Sequence, residues 1–182
     1  MADAPPVTVQ AAVRQTKTLL TVAYTLANSS PEAVFVSVRT FLDGQAANRR
    51  PYTLLRDSAL VLSYRTAPLP PGVKVGRPAL PVYLEVAAGG AYQDQAEVEL
   101  PARERHPYAD PEYPADAVVV PVHKLVLALE YVRKADVGWL RQDDPAPPFV
   151  STRGQPMVPL EMTLTLDAPL PVLKRTDDFY RW

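Results

Sequence analysis

The chain has 182 residues, with 19 Lys and Arg against 20 Asp and Glu, 47% hydrophobic residues, 21 Pro, 7 Gly and no Cys. A net charge of −1 argues against a nucleic-acid binder that works by neutralising phosphates. The missing cysteine excludes disulfides, thiolate metal sites and a cysteine nucleophile. The prolines argue against long helices, because an interior proline removes a hydrogen bond and clashes with the turn before it.

Residues 1–6 read as a loose start, and Val7, Val9, Ala11 and Val13 suggest a first strand over 7–14. In the stretch 17–28, Leu20, Val22, Tyr24 and Leu26 alternate with Thr21, Ala23 and Thr25, the period-two signature of a half-buried strand. Asn28-Ser29-Ser30-Pro31 is turn-forming. Val34, Val36 and Val38 then alternate with Phe35, Ser37 and Arg39, so 33–43 is expected to close a β-hairpin with 17–28. Residues 44–58 read as a polar connection holding Arg49, Arg50 and Arg56.

Leu60, Leu62 and Tyr64 mark a fourth strand, followed by a proline-rich connection to Pro81. Strands over 82–88 and 93–100 flank the Gly89-Gly90 turn. Residues 101–116 hold four prolines and no periodicity, and read as a loop. The run 118–134 is apolar on both phases, which suggests a central strand, with a helix over 124–134 as the competing reading. A long loop is expected over 135–157. Leu160, Met162, Leu164 and Leu166 give the last strand, which Pro169 and Pro171 should end.

No repeat or linker appears, so 1–182 reads as one domain with 1–6 and 172–182 peripheral or extended. The fold class expected is all-β: an antiparallel two-sheet β-sandwich of about eight strands with long Pro-rich loops. The Leu-x-Val-x-Tyr-x-Leu-x-Asn run at 20–28, its Ser-Pro turn and the Val-rich strand after it resemble the opening hairpin of bacterial immunoglobulin-like accessory domains. That resemblance implies an immunoglobulin-like sandwich and nothing about activity. If successive strands alternate in direction, the connections 44–58 and 135–157 share one end of the sandwich.

The two histidines are the only candidates for a catalytic triad, and no Gly-x-Ser-x-Gly elbow accompanies them. His123 shares its phase with Leu125 and Leu127 and reads as a core or sheet-end residue, whereas His106 in its Pro-rich loop should be solvated. His106, Asp110, Glu112 and Asp116 match no calcium-loop spacing. No enzyme, cofactor or metal is therefore expected.

The remaining signal is aromatic: Tyr108 and Tyr113 in one loop, Trp139 and Phe149 in another, and Phe179, Tyr180 and Trp182 at the tail. Rigid aromatics on loops suit binding surfaces, because they offer area with few rotors. The function expected is a non-enzymatic protein-binding or accessory module. Trp139 and Arg141 would anchor it, Arg49 and Arg50 would steer an acidic partner, and Tyr108, Tyr113 and the tail would form further contacts. The alternatives are a carbohydrate- or small-ligand-binding sandwich and a structural piece of a larger assembly, and a homo-oligomer is compatible with either. No nucleic-acid partner and no membrane span are expected, since no apolar run approaches the roughly 20 residues that cross a bilayer. Met1-Ala-Asp-Ala lacks a leader's basic and apolar regions, so the compartment expected is cytoplasmic, or periplasmic or secreted if a leader was removed.

Overall fold

A computed structural model describes residues 6–42, 45–69, 72, 74, 80–108, 112–141, 149–152 and 156–175, with the side chains of 41–48, 139–141 and 149–152 left aside. The strands are β1 (Val7–Gln15), β2 (Leu19–Asn28), β3 (Val34–Leu42), β4 (Gln45–Asn48), β5 (Tyr52–Arg56), β6 (Ala59–Ser63), β7 (Val82–Val86), β8 (Ala91–Glu99), β9 (Ala102–Arg103), β10 (Val118–Arg133), β11 (Val137–Arg141), β12 (Phe149–Thr152) and β13 (Val158–Lys174). One 3-10 turn, Lys134–Asp136, is the only helical element among the described residues, and none of them forms a helix long and apolar enough to cross a membrane. The chain is all-β.

Strands β1, β2 and β8 form an antiparallel three-stranded sheet. The larger sheet runs β4-β3-β10-β13-β9, with β7 on β3 and the β5–β6 pair on β10; β11 and β12 form a separate hairpin. The pairs β10–β6 and β13–β9 are parallel, so the purely antiparallel eight-strand expectation is corrected to a mixed sheet with more, shorter strands. The extra strands fall in stretches read as loops: β4 and β5 within 44–58, β9 within 101–116, and β11 and β12 within 135–157. These strands have two to five residues, too few for alternation to show.

Leu20, Val22, Tyr24, Leu26, Ala96 and Val98 of the small sheet meet Val34, Val36, Val38, Leu60, Leu62, Leu125, Leu127 and Leu129 of the large one in a single core. Burying each such Leu or Val stabilises by about 1.5–3 kcal/mol. Strand β10 is central, as the doubly apolar run predicts. From Leu125 on its odd residues face this core, as Val122 does before the bulge, while Val126, Ala128 and Val132 pack in two satellite clusters with Val61 and Phe35 among others.

The hairpin expected of 17–28 and 33–43 does not form. β2 lies between β1 and β8, whereas β3 pairs with β4, β7 and β10 in the other sheet. Alternation says that a strand has one apolar face, and either layer of a sandwich satisfies it. Asn28 decides the matter. Buried to 1% exposure, it donates from Nδ2 to the carbonyls of Glu32, Val86 and Ala87 (2.8, 3.1 and 3.0 Å), and its Oδ1 accepts the Ser30 amide (3.0 Å). It therefore pins residues 29–33 as a corner between layers.

That crossing also breaks the expected parity of connections. β11 follows Lys134, whose amide bonds to the Ala33 carbonyl beside the start of β3. Residues 45–50 follow the other end of β3, and Arg50 reaches Glu99 at the far end of β8. The described parts of the two connections therefore start at opposite ends of β3.

Pro169 and Pro171 do not end β13, which runs on to Lys174. Pro171 lies directly opposite Pro121 of β10. A ladder tolerates two facing prolines at a non-hydrogen-bonded position, where neither missing N–H points at the partner strand. Four residues of β13, 166–169, bulge opposite His123 between the Lys124–Thr165 and Val122–Leu170 pairs.

One ionic network lies between the layers. Arg39 of β3 forms an ion pair with Asp94 of β8, with side chains 14% and 4% exposed. Asp94 also accepts the Tyr92 hydroxyl (2.6 Å) and the Gln95 amide (2.8 Å), and Arg49 stands 3.7 Å away.

Candidate functional site

Residues 102–106, Ala-Arg-Glu-Arg-His, are drawn out straight by neighbours on both sides. Ala102 and Arg103 pair in parallel with Val172 and Leu173. Further along, the Thr53 amide donates to the Arg105 carbonyl (3.1 Å) and the Arg105 amide to the Thr53 carbonyl (2.8 Å), while the Thr53 hydroxyl donates to the Arg103 carbonyl. An extended segment sends alternate side chains to opposite sides. Ala102, Glu104 and His106 are accordingly buried, Arg103 is exposed and Arg105 half-buried.

Arg103 and Arg105 line an open cleft of about 510 Å³, together with Arg50, Glu97, Glu99, Glu112 and Tyr113. Tyr113 is its half-buried aromatic element. The Glu104 amide donates to its hydroxyl oxygen (2.5 Å), which fixes the ring. The guanidinium of Arg175 lies over the ring at 5.1 Å and that of Arg103 at 5.8 Å, both cation–π contacts. Arg175 is buried and donates to the Glu112 carbonyl (3.2 Å), so it props the ring from behind. Burial pushes the Tyr113 hydroxyl up to about 12, so it stays protonated at physiological pH. Arg50 pairs with Glu99 at 2.6 Å. The cleft is thus of mixed charge around a clamped aromatic ring.

The structure brings two of the sequence-derived candidates, Arg50 and Tyr113, into this cleft. Arg49 is placed elsewhere, beside Asp94 and half exposed. Arg50 has the Glu99 carboxylate beside it, and Arg49 shares Asp94 with Arg39. Tyr108 is half-buried against His106, with ring centroids 5.7 Å apart. Trp139 and Arg141 belong to β11, at the other end of β3 from Arg50, and their side chains lie outside what is described. Phe179, Tyr180 and Trp182 lie outside the described residues, as does Asp110. Among the described residues no group of three or more His, Asp or Glu is placed to hold a metal ion.

The histidine expectations are reversed. His106 is buried to 4% exposure, and desolvation lowers its pKa below the usual 6.5. His123 is exposed, because the bulge in the β10–β13 ladder falls at its position. Sequence reading missed Arg103 and Arg105. The Arg-x-Arg spacing inside 102–106 was the available signal, and the prolines around it masked two residues' worth of strand. No family model matches this chain, and neither the curated proteins nor the solved structures contain a similar one.

Proposed function

We infer that this chain is a non-enzymatic accessory domain that binds another protein through the cleft of Arg50, Arg103, Arg105 and Tyr113. The observation that carries the reading is the convergence of three arginines and a guanidinium-clamped tyrosine on one open cleft. Arginine and tyrosine are among the side chains enriched at the anchoring positions of protein interfaces, because each offers large area and directed hydrogen bonds. An immunoglobulin-like sandwich is the fold type we favour. Two sheets facing each other over one core support it, with the parallel β6 and β9 pairings as additions to the pattern. A cysteine-free chain is at home in a reducing compartment such as the cytoplasm.

Carbohydrate binding is the weaker reading at this cleft. A sugar ring needs an open aromatic face, and guanidinium groups already lie over the Tyr113 ring. Quantitative capture from lysate with the full chain tests the main reading. The combined Arg50→Ala, Arg103→Ala and Arg105→Ala variant should lose its specific partners at an unchanged far-ultraviolet spectrum. Equal capture by a folded variant would remove this cleft as the binding surface.

A further inference from the structure

The segment 102–106 has a second side. Its buried members, Glu104 and His106, line a separate cleft of about 410 Å³ on the outer face of the larger sheet. The floor is apolar. Leu54, Val61 and Ala128 line it and pack with Ala59 and Val126 in a cluster distinct from the inter-sheet core.

The polar groups around this floor are unequal. Arg65 lies on the rim, bonded to Glu161 at 2.8 Å, so the two charges compensate. Glu104 is fixed in the wall, accepting the Leu55 amide at 2.8 Å. His106 accepts the Tyr108 amide on Nδ1 at 3.3 Å, and its lowered pKa keeps the ring uncharged at neutral pH. With Nδ1 an acceptor, the proton is on Nε2. Arg56 differs from all of these. It lines the cleft, is exposed, and has neither an ionic nor a hydrogen-bonding partner among the described residues. Among the described residues its guanidinium is thus the lining cation that no carboxylate pairs with.

A cavity of this size, mostly apolar with a few converging polar groups, is what small organic ligands occupy. A guanidinium at its mouth receives a carboxylate through two parallel N–H···O bonds. We propose that this cleft binds a small organic monocarboxylate, its hydrocarbon or aromatic body on Leu54, Val61 and Ala128 and its carboxylate on Arg56. The site is independent of the protein-binding reading, because Arg103 and Arg105 point to the opposite side of the segment that separates the two clefts.

The test is a two-dimensional NMR titration of the full chain with benzoate and hexanoate, and with the neutral benzyl alcohol and hexanol. Saturable shifts at Leu54, Val61 and Ala128 are expected, with the acids bound at least about tenfold more tightly than the alcohols, the difference one charge-assisted hydrogen bond makes. Arg56→Gln should erase that preference and Arg56→Lys should restore part of it. Because Arg56 is exposed, both variants should keep the wild-type melting temperature. The triple arginine variant of the other cleft should bind the acids unchanged. The proposal is overturned by the absence of saturable shifts at millimolar acid, by equal affinity for acid and alcohol, or by wild-type affinity in Arg56→Gln.

Discussion

Asp94 is the residue whose loss the two layers should feel most. It is the buried counter-charge of Arg39 and the acceptor of the Tyr92 hydroxyl. Removing one member of a buried pair strands the other charge, a loss of about 3–5 kcal/mol. Asp94→Ala should lower the unfolding free energy measured in urea by that much. The double variant Arg39→Met with Asp94→Leu, which leaves no orphan charge, should recover most of the loss. His106 makes a different prediction, about pH. Its folded pKa lies below the ordinary 6.5 because burial disfavours the imidazolium. Above 6.5 the ring is neutral folded or unfolded and contributes no pH dependence. As pH falls below 6.5 the unfolded chain takes up the proton first, so stability drops until the folded pKa is passed. Chemical unfolding of wild type and His106→Phe between pH 7.5 and about pH 5 should show a decline that the variant lacks.

Among the elements, β10 has two unlike halves. From Leu125 to Val132 it is buried on both faces, whereas Val118 and Val119 are 49% and 57% exposed. No strand pairs with 118–122 on the side away from β13 among the described residues. An exposed Val-rich edge is a template for pairing with other chains. Pro121, at a position whose N–H would point outward, denies that edge one of its donors. Pro121→Val should leave the β13 ladder intact and promote concentration-dependent association, visible by light scattering. A variant that remains as monodisperse as wild type would show that the proline does not guard the edge. The apolar run on both phases of 118–134 pointed to a central strand, with a helix over 124–134 as its rival. Its bulge was not legible, because four residues opposite one reflect the path of β13 and not the local pattern.

In the whole molecule, the corner at Asn28 joins the two sheets. Its side chain holds three carbonyls from two segments, Glu32 on one side and Val86 with Ala87 on the other. Asn28→Ala would take the Nδ2 donor from the Val86 carbonyl, at about 1–3 kcal/mol for such a buried group, while the Glu32 and Ala87 carbonyls keep the Ser30 hydroxyl and the Gly90 amide. The expected result is a drop in melting temperature with an unchanged far-ultraviolet spectrum, since each sheet keeps its own ladder. A melting temperature equal to wild type would show that the corner is held by its backbone alone.

Local residue patterns were enough to read the chain as all-β, to mark its long strands and to assign most of their apolar faces. Those properties are set by neighbours one and two positions apart. Long-range packing settled that β2 and β3 belong to different sheets, that β6 pairs in parallel with β10 and β9 with β13, and that Arg50 and Tyr113 meet Arg103 and Arg105 in one cleft. The physical reason is that a half-buried strand is satisfied in either layer, and short polar strands gain their pairing from partners far along the chain. The burial of His106 and the exposure of His123 belong to the same class, since each depends on what a distant strand lays across or fails to cover.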